Sequence, residues 1–142
     1  MATHTTNRIP KIGDIYSMYF DGIGSEQSGW RPGVVFQNNV GNKHSPNIIA
    51  LPITSNLRKV HMPTHVLLFA ADTGLKHDSI VICENPQRLS KERMGRYISS
   101  LSLYYMREIA VSHLIATSAI AYLDQESLIR AWQHAVRLNT VA

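Results

Sequence analysis

Residues 33–53, GVVFQNNVGNKHSPNIIALPI, hold two apolar, β-branched runs around a stretch rich in Asn and Gly and closed by Ser45-Pro46. Short runs of this kind bounded by turn formers read as strands. The spacing therefore predicts a strand over 33–37, a turn over 38–46 and a partner strand over 47–53, paired as a hairpin. Working outward, 12–20 (IGDIYSMYF) is rich in β-branched and aromatic residues and reads as a strand before it. Further strands are expected over 64–69 and 79–84, with a short one at 87–89. Five or six short strands spaced by turns point to a small antiparallel barrel or sandwich rather than a βαβ sheet.

Beyond Ser90 the pattern changes. Residues 90–94 read as one helical turn capped by Ser90 and stopped at Gly95. From Ser102, Leu103, Met106, Ile109, Ala110, Leu114 and Ile115 recur at helical spacing, predicting an amphipathic helix to about Ala121. Asp124-Gln125-Glu126-Ser127 then resembles a second helix start, followed by Leu128, Ile129, Trp132 and Val136. Pattern leaves open whether 121–125 is a break or a continuation. We expect one mainly β domain with helices (α+β) over 1–142, with a flexible tail at 1–10 and an extra C-terminal helix at 124–142.

Composition bounds the class. A chain of 142 residues, 44% hydrophobic and 17% charged, has room for one core and no second domain. Fourteen Lys and Arg against ten Asp and Glu permit a polyanionic partner without requiring one. The single Cys83 lies in the apolar run SIVIC, which excludes an internal disulfide and suits a buried thiol in a reducing compartment. No apolar run has the length of a signal peptide core or a membrane span. A cytoplasmic protein is expected.

Several stretches carry candidate chemistry. In GSEQSGWRP (24–32), glycines at 22, 24 and 29 suit a mobile or ligand-approaching loop. Arg31, held extended before Pro32 at the mouth of the next strand, can present its planar fork to a phosphate. A surface loop with solvated Glu26 and Arg31 fits the same letters. Thr54 and Ser55 end the hairpin's second strand, where hydroxyls commonly cap turns; in a strongly curled barrel, strand ends such as those at Arg31 and Thr54 can converge. Arg with Thr suits stabilising charge on a phosphate in a transition state. His61 and His65, four apart on extended chain, lie roughly 13 Å apart and cannot share one metal. His77 beside Asp78 offers acid–base chemistry, although GLKHDS also reads as a polar turn. Asn85, Gln87, Arg88, Lys91, Arg93 and Arg96, with Tyr97, form the densest basic and polar cluster, suited to a solvated face or to single-stranded nucleic acid.

Taken in order, IGDIY at 12–16, GSEQSGWRP, FQNNVGNKHSP, PITS at 52–55, MPTHV at 62–66, GLKHDSIV at 74–81 and LSKERMGR at 89–96 resemble the MazF/PemK toxins of type II toxin–antitoxin systems. The resemblance spans about residues 11–123. It implies a curled SH3-like barrel with helices, a homodimer neutralised by a cognate antitoxin, and a cofactor-free endoribonuclease. That enzyme would cut single-stranded RNA without a metal, by 2′-hydroxyl attack. It places the family's catalytic arginine on Arg31, for phosphate stabilisation and proton transfer, and its threonine on Thr54, for hydrogen bonding to the phosphate. Glu26 falls on a candidate base, and Ser25 and Gln27 on loop positions that contact RNA. Asn85, Gln87 and Arg88 fall in a base-reading segment where close relatives carry Glu-Gln-Ile-Arg, a departure that bears on the target sequence. The alternative is a silent member that binds RNA or an antitoxin-like partner without cutting. A gyrase-directed poison of related fold would end in Trp-Gly-Ile, which this chain lacks.

Overall fold

The computed structural model describes residues 8–22 and 29–141. Within them the chain forms seven strands: β1 (Asp14–Phe20), β2 (Gly29–Val35), β3 (Asn47–Thr54), β4 (His65–Leu68), β5 (Ser79–Ile82), β6 (Gln87–Ser90) and β7 (Met94–Ser100). The helices are α1 (Asn39–His44), α2 (Ala70–Thr73), α3 (Leu103–Thr117) and α4 (Gln125–Thr140). All strand pairs are antiparallel, in the order β4-β5-β3-β2-β1-β7, with β6 also on β3. The expected hairpin is present: Gly33 lies opposite Pro52, Val34 opposite Leu51 and Val35 opposite Ala50. β3 is the hub, giving one edge to β2 and the other first to β6 (47–50) and then to β5 (53–54).

Two-residue alternation splits the apolar side chains between two cores. Ile15, Val34, Leu51 and Ile53 face the first, which β4, β5 and the α3 residues Tyr105 and Ile109 close. Tyr16, Met18, Phe20, Val35, Ile48 and Ala50 face the second, which Leu89 and Met94 close. The central strands are thus buried on both faces, which is why they read as continuous apolar runs. Gly33 sits at the tightest point: a Cβ there would come within 2.7 Å of Phe20 Cζ and 2.8 Å of Met18 Sδ.

Five expectations change. The turn over 38–46 contains α1, because Asn38 caps it and Asn42, fully buried, exchanges hydrogen bonds with the Gln37 side chain and backbone carbonyl. The region after Ser90 does hold a short 3-10 turn capped by Ser90, but it then enters β7, a strand that Gly95, Arg96 and two serines conceal. α3 ends at Thr117, since Ser118 adopts a left-handed φ of 56°, and Asp124 starts α4 afresh with a capping box. The buried face of α3 is Tyr105, Ile109 and Ser112; Leu103, Ala110 and Ile115 are exposed, because the helix is apolar on several sides. At the N-terminus Arg8 pairs with Asp14 at 3.3 Å and lies 3.9 Å over the Tyr97 ring, so ordered packing begins inside the expected tail. Residues 1–7 lie outside the described residues.

Candidate active site

The strand register brings the two principal residues together. The β2–β3 register runs from Val35 opposite Ala50 to Gly33 opposite Pro52; Arg31 and Thr54 each lie two residues beyond that last pair, on neighbouring strands, and both line one cleft. The start of a hairpin's first strand neighbours the end of its second, which sets these two residues at the same end of the β2–β3 pair. Arg31, expected at the mouth of a strand beginning at Gly33, lies inside β2, which already begins at Gly29, and is paired with Met18 of β1. Its Nε is withdrawn from solvent, while the side chain as a whole is half-buried.

Thr54 is half-buried at the last position of β3, opposite Ile80 of β5. Its Oγ1 accepts the Asn56 backbone N–H at 3.1 Å. That bond uses a lone pair and leaves the hydroxyl proton to be donated elsewhere.

Both residues line a cleft of about 420 Å³. Trp30 and Ser17 stand on the same side, Lys76 and His77 enter from the segment before β5, and Arg96 comes from β7. Trp30 makes an edge-to-face contact with Tyr19, with ring centroids 5.7 Å apart. It also lies over Gly95, where a Cβ would meet its ring at 3.1 Å. Trp30 is thus a wall of the cleft, seated on a glycine of β7. Among the described lining residues Arg31, Lys76 and Arg96 are cationic and none is a carboxylate. Asp78, next to His77, is turned to the backbone, where its Oδ1 accepts the Ala70 N–H at 2.8 Å. A concave surface of this charge attracts a phosphodiester and repels a cation.

The other candidates distribute differently. Ser25, Glu26 and Gln27 lie outside the described residues. Asn85 follows β5, while Gln87 and Arg88 lie on β6, opposite Ala50 and Ile49 in the other half of β3. None of these three lines the Arg31–Thr54 cleft. The histidine Nδ1 of His65 faces the Lys59 carbonyl at 2.9 Å and its Nε2 faces Glu84 Oε1 at 2.7 Å, so this ring is committed to holding the β3–β4 connection. Cys83 is fully buried, and burial pushes its thiol up to about 12. Sequence reasoning set His77 within a polar turn and Arg96 within a basic cluster. The pairing of Ile80 with Thr54 brings His77 to the cleft by setting the segment before β5 beside the end of β3, and the pairing of β7 with β1 brings Arg96.

Residues 11–131 match the family described as PemK-like, MazF-like toxin of type II toxin-antitoxin system. The chain is 38% identical over 98 residues to Endoribonuclease MazF of Staphylococcus saprophyticus, covering 68% of this chain and 82% of that protein. It is 34% identical over 115 residues to Endoribonuclease EndoA of Bacillus subtilis, covering 80% of this chain and 99% of that one. Among solved structures, Mycobacterium tuberculosis toxin MazF-mt6 superposes with a TM-score of 0.64 at 26% identity, over 74% of this chain and 96% of that chain.

Proposed function

The chain belongs to the PemK-like, MazF-like toxins of type II toxin–antitoxin systems, and on that premise we propose that it is an endoribonuclease that cuts single-stranded RNA in a sequence-specific, metal-independent manner and is held in check by a cognate antitoxin. The observation that carries the chemistry is that Arg31 of β2 and Thr54 of the adjacent β3 line one cleft with cationic walls.

The scissile phosphate sits between these two side chains. Arg31 stabilises the charge that grows on the phosphate oxygens, and its planar fork fits two of them at once. Thr54, with one lone pair taken by Asn56, donates its hydroxyl proton to a non-bridging oxygen. The 2′-hydroxyl attacks the adjacent phosphorus, the bond to the 5′-oxygen breaks, and the products are a 2′,3′-cyclic phosphate and a 5′-hydroxyl. Glu26 serves as the base for the 2′-proton, and Ser25 and Gln27 contact the RNA from the same segment. Asn85, Gln87 and Arg88 read bases beyond the cleft and set the target sequence.

The protein works as a homodimer, and its antitoxin is a protein partner. The exposed Leu103, Tyr104, Val111 and Ile115 on α3 support an apolar contact of that kind. The decisive experiment is cleavage of a long natural RNA in EDTA, with the product ends sequenced. Arg31→Ala and Thr54→Ala should each slow cleavage by about 10²-fold or more while circular dichroism stays unchanged. Undiminished cleavage by both variants, or RNA binding with no product from the parent chain, would overturn the assignment.

A further inference from the structure

The cleavage chemistry makes no use of the aromatic surface beside Arg31. Trp30 directly precedes Arg31 on β2 and lies opposite Tyr19 of β1. Two steps along, Pro32 lies opposite Ser17, and side chains two apart on a strand share a face. Trp30, Pro32 and Ser17 all line the Arg31–Thr54 cleft, so the Trp30–Tyr19 pair stands on the cleft's face of the sheet. Neither aromatic belongs to either core: Trp30 is half-buried and Tyr19 is exposed.

The pair is nevertheless held in place. The two rings meet edge to face with centroids 5.7 Å apart, and the Trp30 ring rests on Gly95, where a Cβ would come within 3.1 Å. The Arg93 guanidinium lies 5.3 Å from the Tyr19 ring centroid and pairs with Asp21 at 3.2 Å. A ring already fixed in this way gives up little freedom when a ligand covers it. Cations accompany the pair, with Arg31, Lys76 and Arg96 in the cleft and Arg93 at Tyr19. Fixed aromatic surface among cations suits single-stranded nucleic acid, whose phosphates follow the charges while a base lies on the ring.

Resting on the ribonuclease reading, we propose that Trp30, buttressed by Tyr19, is the stacking platform for a base that flanks the scissile phosphate. Trp30 and Arg31 are consecutive residues, so a phosphate held by Arg31 brings one of its own two nucleosides to Trp30. Every base has a π-face, so the platform senses that a base is present and leaves its identity to hydrogen-bonding residues elsewhere.

The test uses a short RNA that the parent chain cuts, together with two versions in which the nucleotide on one side or the other of the scissile phosphate is abasic. For one of the two, the parent's KM should rise by about 10-fold or more, with kcat changed much less. Trp30→Leu keeps an apolar wall on Gly95 but has no π-face. It should raise KM on the intact RNA by a similar factor and show no further rise on that abasic RNA, while Trp30→Phe should recover the affinity. A second readout keeps Trp30 in place: Trp132→Phe leaves it as the chain's one tryptophan, and its emission should be quenched when the same RNA, made uncleavable by a 2′-methoxy group at the cut site, binds. If the parent cuts both abasic RNAs with the KM of the intact one, if the abasic penalty persists undiminished in Trp30→Leu, or if bound RNA leaves the emission unchanged, the platform falls while the ribonuclease reading stands. If the parent chain cuts no RNA, the ribonuclease reading itself falls, and this inference with it.

Discussion

Beside Arg31, Pro32 removes an N–H donor and fixes a backbone torsion in the middle of a paired strand, opposite Ser17. It also holds Arg31 extended, so the arginine's backbone is constrained both by its own strand and by its successor. Trp30 gains its seat from the absence of a side chain at Gly95. Cys83 shows the opposite extreme, a nucleophile made inert by its surroundings. It is fully buried, and burial disfavours the thiolate until about pH 12. A thiol reagent at pH 8 should therefore find no reactive group in the folded chain and one in urea, measured by thionitrobenzoate release; stoichiometric reaction of the folded chain would show that the core is open. The sign for stability follows: the thiol's folded value is raised, so its contribution is complete below the unfolded thiol's range and is lost as pH rises toward 12. The sequence alone already suggested the burial of Cys83, because SIVIC has no charge to stabilise a thiolate. It could not reveal the setting of Trp30, because the partner glycine lies sixty-five positions away.

Among the elements, those with strong local signals were legible and those made by partners were not. β1, β2 and β3 announce themselves by β-branched runs, and the hairpin follows from them. α1 was read as a turn because Asn and Gly favour turns; the buried Asn42 network outweighs that preference. β7 has weak strand letters, and pairing with β1 makes it a strand. α4 is legible from its start signal. The Ser127 backbone N–H donates to Asp124 Oδ1 at 2.8 Å and the Ser127 hydroxyl to the same oxygen at 2.7 Å. These bonds, the backbone one foremost, hold the Asp124 carboxyl below its usual range. The cap therefore stabilises α4 above the unfolded carboxylate's value and fails as pH falls through the folded one. Helicity at 222 nm should drop as pH falls below the ordinary carboxylate range more in the parent chain than in Asp124→Asn, which keeps a cap that does not titrate. Identical curves would mean that the cap does not hold the helix.

At the scale of the whole molecule, the two cores account for the fold without α4. That helix buries none of its residues, touches α1 through the Asn39 N–H to Asn139 Oδ1 bond at 2.9 Å, and leaves Leu128, Ile129, Trp132 and Val136 exposed along one stripe. This helix is thus not packed into either core. A chain ending at Leu123 should unfold at nearly the same urea concentration as the full chain and retain RNA cleavage; loss of cleavage with an unchanged urea midpoint would assign α4 to the working assembly. The order of motifs along the chain determined the family, and the alternation of apolar residues determined an antiparallel sheet, because both are properties of local spacing. That Arg31 and Thr54 lie at the same end of the β2–β3 pair was implicit in the hairpin. Only the tertiary structure decided that Lys76, His77 and Arg96 share that cleft, while Gln87 and Arg88 lie along the other half of β3. Those placements depend on which strand each later one joins, β5 and β6 on β3 and β7 on β1, and pairing at long range leaves no periodic trace in the residues it brings together.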